Sequence, residues 1–351
     1  MGRVKRRWAM WASAGTLLLS AACGGTGKPS TDAATGSDVA ADTAAPRDAP
    51  IELAIADTHW PEVPADEPSG TFVAVGYQGR TIRSIDDGSS WTDDTHLEVD
   101  ASSDLQLLRT VVWANGQFMA YGWRVMTSLD GKAWQDFGAN PIDQWVGSVV
   151  YAQGLFVGVG GYGLRVSSSD GLTWQPHDLD SVPSATADAL VYDSDGSGSF
   201  VSANSNGQRS YSTDGQTWTY STGAAASLTT DLAVGNGVVV GTNAASVVVS
   251  DDGGVTWNDA AQLGVPAQVL IFAQGHFTVI GAAHVFTSAD GRSWSDHSVV
   301  GLHGTAIAFG HGTYVLLTDD GFRRSPDAIG WGAPLGSPST ATLVGLTFGS
   351  S

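Results

Sequence analysis

The chain has 351 residues and a formal charge of −19 at neutral pH, a field that repels phosphate backbones and excludes general nucleic-acid binding. Its 45 glycines and 13 tryptophans, against 15% charged residues, exclude a helical bundle or a disordered chain and suit short strands joined by tight turns and packed on large aromatics. The length does not require two domains, because closed all-β architectures run long as single units.

The chain opens on Arg3, Lys5, Arg6 and Arg7, followed by an uncharged stretch over residues 8–22 and then Cys23, the single cysteine. The stretch is too short for a membrane span, which needs about 20 apolar residues. Its basic-then-apolar order is that of a signal peptide. Leu19, Ser20, Ala21 and Ala22 before Cys23 resemble the lipobox of bacterial lipoproteins, with Ser20 where that motif prefers leucine. The resemblance implies removal of residues 1–22, lipidation of Cys23, and a lipid anchor as the only contact with a membrane. Gly24 resembles the residue that follows the cysteine in lipoproteins sorted to the outer membrane, which implies that location in the cell envelope. Residues 24–50 are small, polar and acidic and predict a mobile tether spanning about 30 Å as a coil.

From residue 51 onward one short pattern recurs seven times: SIDDGSSW at 84–91, SLDGKAW at 128–134, SSDGLTW at 168–174, STDGQTW at 212–218, SDDGGVTW at 250–257, SADGRSW at 288–294 and SPDAIGW at 325–331. The leading serines lie 44, 40, 44, 38, 38 and 37 residues apart, the length of a four-stranded blade with short connections. Each residue type has a mechanical use. The Asp carboxylate accepts backbone N–H bonds in a tight turn, Gly tolerates positive φ, Ser bonds locally, and Trp anchors the next strand between blades. A group repeated at every turn serves every blade, so Asp86, Asp130, Asp170, Asp214, Asp252, Asp290 and Asp327 are read as structural.

Two apolar runs precede each pattern, as in VVYAQGLFVGVG at 149–160 and VLIFAQGHFTVIG at 269–281, and each predicts a hairpin. A third strand enters the repeated turn and a fourth leaves it after Trp. The body starts at GTFVAVGYQGRTIRSIDDGSSW without a first strand, whereas TLVGLTFG at 342–349 is a first strand with nothing after it. The two ends complete one blade, which predicts an all-β, seven-bladed β-propeller over residues 51–351 with N- and C-terminal strands sharing a blade and no open edge.

The repeated turn resembles the Asp-box, S-x-D-x-G-x-x-W, of the sialidase-like propellers, although only the first and fifth copies keep the eight-residue spacing. The form G-x-[IV]-x-x-S-x-D-G-x-x-W is most similar to the photosystem II assembly-factor group and related bacterial lipoproteins. That resemblance implies an arginine-rich face that holds a client protein.

The connections between second and third strands, and those leading into each first strand, share the face opposite the repeated turns. Arg80, Arg124, Arg165, Arg209 and Arg323 stand near the start of third strands, with His284 in the sixth blade, and Arg109 near the start of a first strand. Only ten Lys or Arg residues follow position 50, so six at one end of the propeller form a candidate carboxylate-binding set. The competing reading is that they lean on neighbouring blades and pair with acids such as Asp188 and Asp231. Tyr77, Trp123, Trp145 and Tyr162 fall on loops of the same face, where exposed aromatics stack on sugars or anchor peptides.

For an enzyme, the sialidase resemblance implies an Arg-Ile-Pro tripeptide and a Tyr–Glu pair. No such tripeptide occurs, and glutamate does not recur after Glu98. There is no HExxH, no cysteine cluster and no EF-hand spacing, so no cofactor is expected, and the dispersed histidines read as loop residues. The expectation is a monomeric, surface-tethered, non-enzymatic propeller that recognises a protein or glycan. A sialidase-like glycoside hydrolase and a lectin with several weak equivalent sites are the alternatives.

Overall fold

The computed structural model describes residues 70–97, 104–140, 142, 144–177, 187–204, 207–223, 229–335 and 338–350. Cys23, the tether and the first part of the 51–351 body lie outside the described residues. Seven antiparallel sheets form a ring. Their innermost strands are Leu343–Ser350, Leu108–Ala114, Val146–Ala152, Ala187–Tyr192, Thr229–Gly235, Ala267–Ala273 and Ala306–Gly310, in blades 1 to 7. Each packs against its neighbours around the axis, and the seventh meets the first. The fold is a seven-bladed β-propeller. Blade 1 is closed by the chain ends: Leu343–Ser350 pairs antiparallel with Gly70–Gly76, followed outward by Thr81–Ser84 and Thr92–Thr95.

Two blades depart from four strands. Blade 5 carries an extra two-residue strand, Thr222–Gly223, parallel to Thr256–Gln262. Blade 7 has three strands, with one isolated bridge between Phe322 and Leu335 in place of the fourth. The segment after Trp331 reads GAPLG, and Pro334 brings no N–H to a ladder.

The repeated turns fold alike. Ser Oγ donates to the Asp carboxylate two residues on, at 2.8 Å in Ser84–Asp86, Ser168–Asp170 and Ser250–Asp252 and at 3.0 Å in Ser325–Asp327. The same carboxylate then accepts backbone N–H bonds, as Asp170 does from Leu172 at 2.8 Å and Thr173 at 2.7 Å. These bonds hold the Asp170, Asp214 and Asp290 carboxyls down at about 2. The seventh turn has Ala328 where the others have glycine, and Ala328 still takes φ 61. Its carbonyl accepts the Trp331 indole N–H at 2.8 Å, as Gly131 does from Trp134 at 3.0 Å. The turn tryptophans pack on the preceding blade: Trp91 stacks on Phe322, with centroids 3.6 Å apart, and Trp174 meets Tyr121 edge-on at 5.5 Å.

A second repeat lies in the inner hairpins. In six blades the penultimate or nearby inner-strand residue is aromatic and sits opposite an aromatic of the second strand: Phe348–Phe72, Trp113–Phe118, Tyr151–Phe156, Tyr192–Phe200, Phe272–Phe277 and Phe309–Tyr314, with centroids 4.5 to 4.9 Å apart. Blade 5 pairs Val234 with Val239. The aromatic of one blade lies over a small residue of the blade before it. A Cβ at Gly310 would meet the Phe348 ring at 2.1 Å, at Gly349 the Trp113 ring at 2.5 Å, and at Gly235 the Phe272 ring at 2.2 Å. This ring-on-glycine contact couples consecutive blades near the axis. Five inner hairpins close with two-residue turns at positive φ, for example Asn115–Gly116 and Gln274–Gly275, the geometry that matches strand twist.

Candidate functional site

The face opposite the repeated turns is set by the start of each inner strand. In six of the seven, the ladder shifts at the second residue, placing a bulge at Val344, Arg109, Gly147, Asp188, Thr230 and Gln268. A bulge leaves one residue outside the pairing and re-aims it. Six inner strands thus open beside a residue outside the ladder, and its identity differs from blade to blade. Gln268 ties blade 6 to the start of blade 7, accepting Gly304 N–H at 3.0 Å.

Arg109 is the bulged residue of blade 2. Its guanidinium carbon lies 4.0 Å from the Trp145 ring centroid, within the range of a cation–π contact. Trp145 in turn lies against Gly161, where a Cβ would come within 2.7 Å of the indole nitrogen, so only glycine admits this approach. Gly161 opens the turn Gly161–Gly163, in which Tyr162 takes φ 56 and is 57% exposed. Blade 1 has a near-identical turn, Tyr77–Gly79, with Gln78 at φ 61 and Tyr77 44% exposed. Trp123, half-buried, precedes Arg124 in the blade between them. Trp145 touches Arg109, and Tyr77, Trp123 and Tyr162 stand on the connections between the second and third strands of blades 1, 2 and 3. The side-chain carbonyls of Gln106 and Gln144, near Arg109 and Trp145 in the chain, are buried without a hydrogen bond.

The other predicted arginines divide by what they touch. Arg80 grips Asp94 with two bonds, at 2.8 and 2.7 Å, and reaches Thr342 Oγ1 at 2.8 Å. Arg124 pairs through Nε and Nη2 with Asp136, and Arg323 bonds Asp320 at 2.9 Å and the Gly332 carbonyl at 3.4 Å. His284 Nδ1 sits 2.8 Å from Asp296 in the same register. Among the described residues the acids that meet these side chains are the fourth-strand aspartates Asp94, Asp136 and Asp296, and Asp320, whereas Asp231 lies elsewhere. Asp231 instead bridges two blades, accepting Leu232 N–H at 2.9 Å and Leu270 N–H at 2.9 Å, and burial pushes its carboxyl up to about 6. The Asp188 side chain lies outside the described residues.

Arg165 and Arg209 behave differently, each lying over the turn tryptophan of the next blade: Arg165 over Trp218 at 5.1 Å, Arg209 over Trp257 at 4.9 Å. Arg165 is 4% exposed and bonds the Leu164 carbonyl at 3.0 Å and Ser210 Oγ at 3.3 Å. Burial lowers it to about 10, so it stays charged at neutral pH. Among the described residues no carboxylate lies within ion-pair distance of it. Nearby, a cavity of about 200 Å³ is lined by Gln208, Arg209, Tyr220, Ser221 and Thr222. Tyr220 brings a buried hydroxyl without a hydrogen bond, and burial raises its pKa.

The histidines correct a sequence expectation: His276, His284 and His297 lie on strands, not loops, because the blades run through those positions. Among the described residues no three of His, Cys, Asp or Glu converge as metal ligands, and no helix is long and apolar enough to cross a membrane.

No protein-family model matches the chain, and no curated protein matches it in sequence. Solved propellers do match in fold. YCF48 from Cyanidioschyzon merolae gives a TM-score of 0.55 at 15% identity, over 76% of this chain and 99% of that one. YCF48 bound to D1 peptide gives 0.52 at 17% identity, over 70% and 85%. A catalytically inactive virginiamycin B lyase from Staphylococcus aureus, with quinupristin, gives 0.58 at 7% identity, over 69% and 91%. At such identities the likeness is one of fold, and the neighbours include both a peptide-bound propeller and a lyase.

Proposed function

We propose that this protein is a non-enzymatic binding propeller that holds a peptide segment of a client protein on the face opposite the repeated turns. The observation that carries the reading is the aromatic shelf on blades 1 to 3. Tyr77 and Tyr162 are exposed on matching turns of blades 1 and 3, and Arg109 of blade 2 lies over Trp145 beside the start of the blade 3 inner strand. Aromatics and arginine are the side chains that anchor protein interfaces, because they offer large, stiff contact areas at small entropic cost. The peptide-bound fold neighbour uses the same architecture. Arg80, Arg124 and Arg323, held by acids, and the buried Arg165 and Arg209 act as a rigid frame, and Arg109, stacked on Trp145, is assigned to a ligand carboxylate.

A second part of the proposal is location. The lipobox-like sequence before Cys23 would tether the propeller to the envelope, so the client is an envelope or exported protein. Labelling cells with an alkyne fatty acid should mark the wild-type protein and not Cys23→Ser. For the shelf, Tyr77→Ala and Tyr162→Ala together should abolish capture of the client while leaving the melting temperature unchanged. Turnover of a fluorogenic glycoside panel, surviving those changes, would replace the binding reading with an enzymatic one.

A further inference from the structure

The inner hairpin of blade 4 does not close with the two-residue turn of blades 2, 3, 5, 6 and 7. It carries Asp193-Ser194-Asp195-Gly196-Ser197-Gly198-Ser199 instead. Asp193 stands where the inner strands of five other blades end in alanine or glycine, and it is 1% exposed. Its Oδ2 accepts Ser197 N–H at 2.8 Å and Ser197 Oγ–H at 3.1 Å. Its Oδ1 is buried and has no hydrogen bond. A Cβ at Gly196 would fall 2.4 and 2.9 Å from the two oxygens, so the carboxylate faces the inside of the turn. A buried carboxylate oxygen without a donor is costly, and hydrogen bonds on the other oxygen fix its direction rather than relieve it.

We propose that this turn binds one calcium ion, with Asp193 Oδ1, the Asp195 carboxylate and the Ser197 hydroxyl as side-chain ligands. Acid, acid and hydroxyl at alternate positions, with glycine at the sixth, reproduce the first half of a calcium loop. Gly198 takes φ 69, as the sharp turn after the fifth position requires. The donors are all oxygen, which suits a hard cation and not zinc. The acid that completes an EF-hand at the twelfth position is absent, because Asn204 stands there. Two carboxylates without a bidentate glutamate place the affinity in the extracellular range, a dissociation constant of roughly 0.1–1 mM. Ser197 also abuts the repeated turn of blade 5: a Cβ at Gly253 would meet Ser197 Oγ at 1.7 Å. Filling the loop would therefore fasten blade 4 to blade 5.

The test is calorimetric titration of the full chain with calcium chloride at about 0.15 M salt, where diffuse attraction to an acidic surface is screened. One saturable site is expected, weakened at least tenfold by Asp195→Asn, an exposed change that leaves the calcium-free circular dichroism and melting temperature as they are. Asp193→Asn should remove binding, and calcium should raise the melting temperature of the wild type alone. Absence of a saturable site, or equal binding by wild type and Asp195→Asn, would overturn the proposal.

Discussion

The two faces of the propeller solve opposite problems with similar residues. On the repeated-turn face, seven aspartates are each satisfied by their own turn, as Asp170 is by Ser168, Leu172 and Thr173. On the opposite face a bulge recurs at the start of six inner strands but the residue it carries differs from blade to blade, and the charges there are arginines in unequal settings, some on carboxylates and some over indoles. Repetition marks what every blade needs to fold; its failure marks where one blade differs in purpose. Stability should therefore be sensitive on one face and binding on the other.

The largest effect expected is at the axial contact near the repeated turns. Gly310→Leu drives a side chain into the Phe348 ring and should cost about 3 kcal/mol or more, read as a lowered denaturation midpoint. Next is Asp170→Ala, which leaves two backbone N–H groups and Ser168 without their acceptor and should cost about 1–3 kcal/mol with no change in client affinity. Tyr162→Ala should do the reverse: stability within about 0.5 kcal/mol of wild type, and affinity reduced roughly tenfold in a binding isotherm. If Tyr162→Ala destabilises while Asp170→Ala weakens binding, the division between faces is wrong.

The pH response sharpens the same contrast. Asp170, Asp214 and Asp290 sit at about 2 in the fold, below the ordinary value of 3.8, so their stabilisation is present above about pH 4 and lost as pH falls toward 2. Asp231 sits at about 6, above its ordinary value, so its ionisation penalty is present above pH 6 and relieved between pH 6 and 4. Asp231→Asn should therefore flatten the stability profile between pH 4 and 6 and leave the acid limb below pH 4 intact. The smallest effect belongs to Ala328→Gly. Relief of left-handed strain, about 1 kcal/mol, offsets the loss of a buried methyl, about 0.8 kcal/mol, so melting should move little.

Much of this fold was legible in the sequence, because the blade-forming turn is local: serine, aspartate, glycine and tryptophan within eight residues determine it. The shared blade was legible too, from a first strand missing at one end and stranded at the other. The aromatic pairs of the inner hairpins were also present, in WANGQF, YAQGLF and FAQGHF, yet their meaning depends on the glycine of the neighbouring blade, which local reading does not supply. That the arginines stand near the starts of strands was legible, but not what they touch. Arg80 with Asp94 and Arg124 with Asp136 lie 14 and 12 residues apart, a separation that spans the outer hairpin and becomes visible once the strands are paired. Arg165 and Arg209 find their tryptophans in the next blade, and that contact is set by the packing of sheets. The seventh blade shows the limit of counting by repeat: its turn folds as the others do, yet among the described residues the blade has three strands and one isolated bridge.

Which face meets a partner can be read in the cell by crosslinking. A photo-crosslinking residue placed at Tyr162, 57% exposed, should be compared in living cells with one at Leu129, 76% exposed on a repeated turn. A discrete protein adduct from position 162 and none from position 129 is the predicted result. Adducts from position 129 alone, or the same adduct from both, would contradict the assignment of binding to the aromatic shelf.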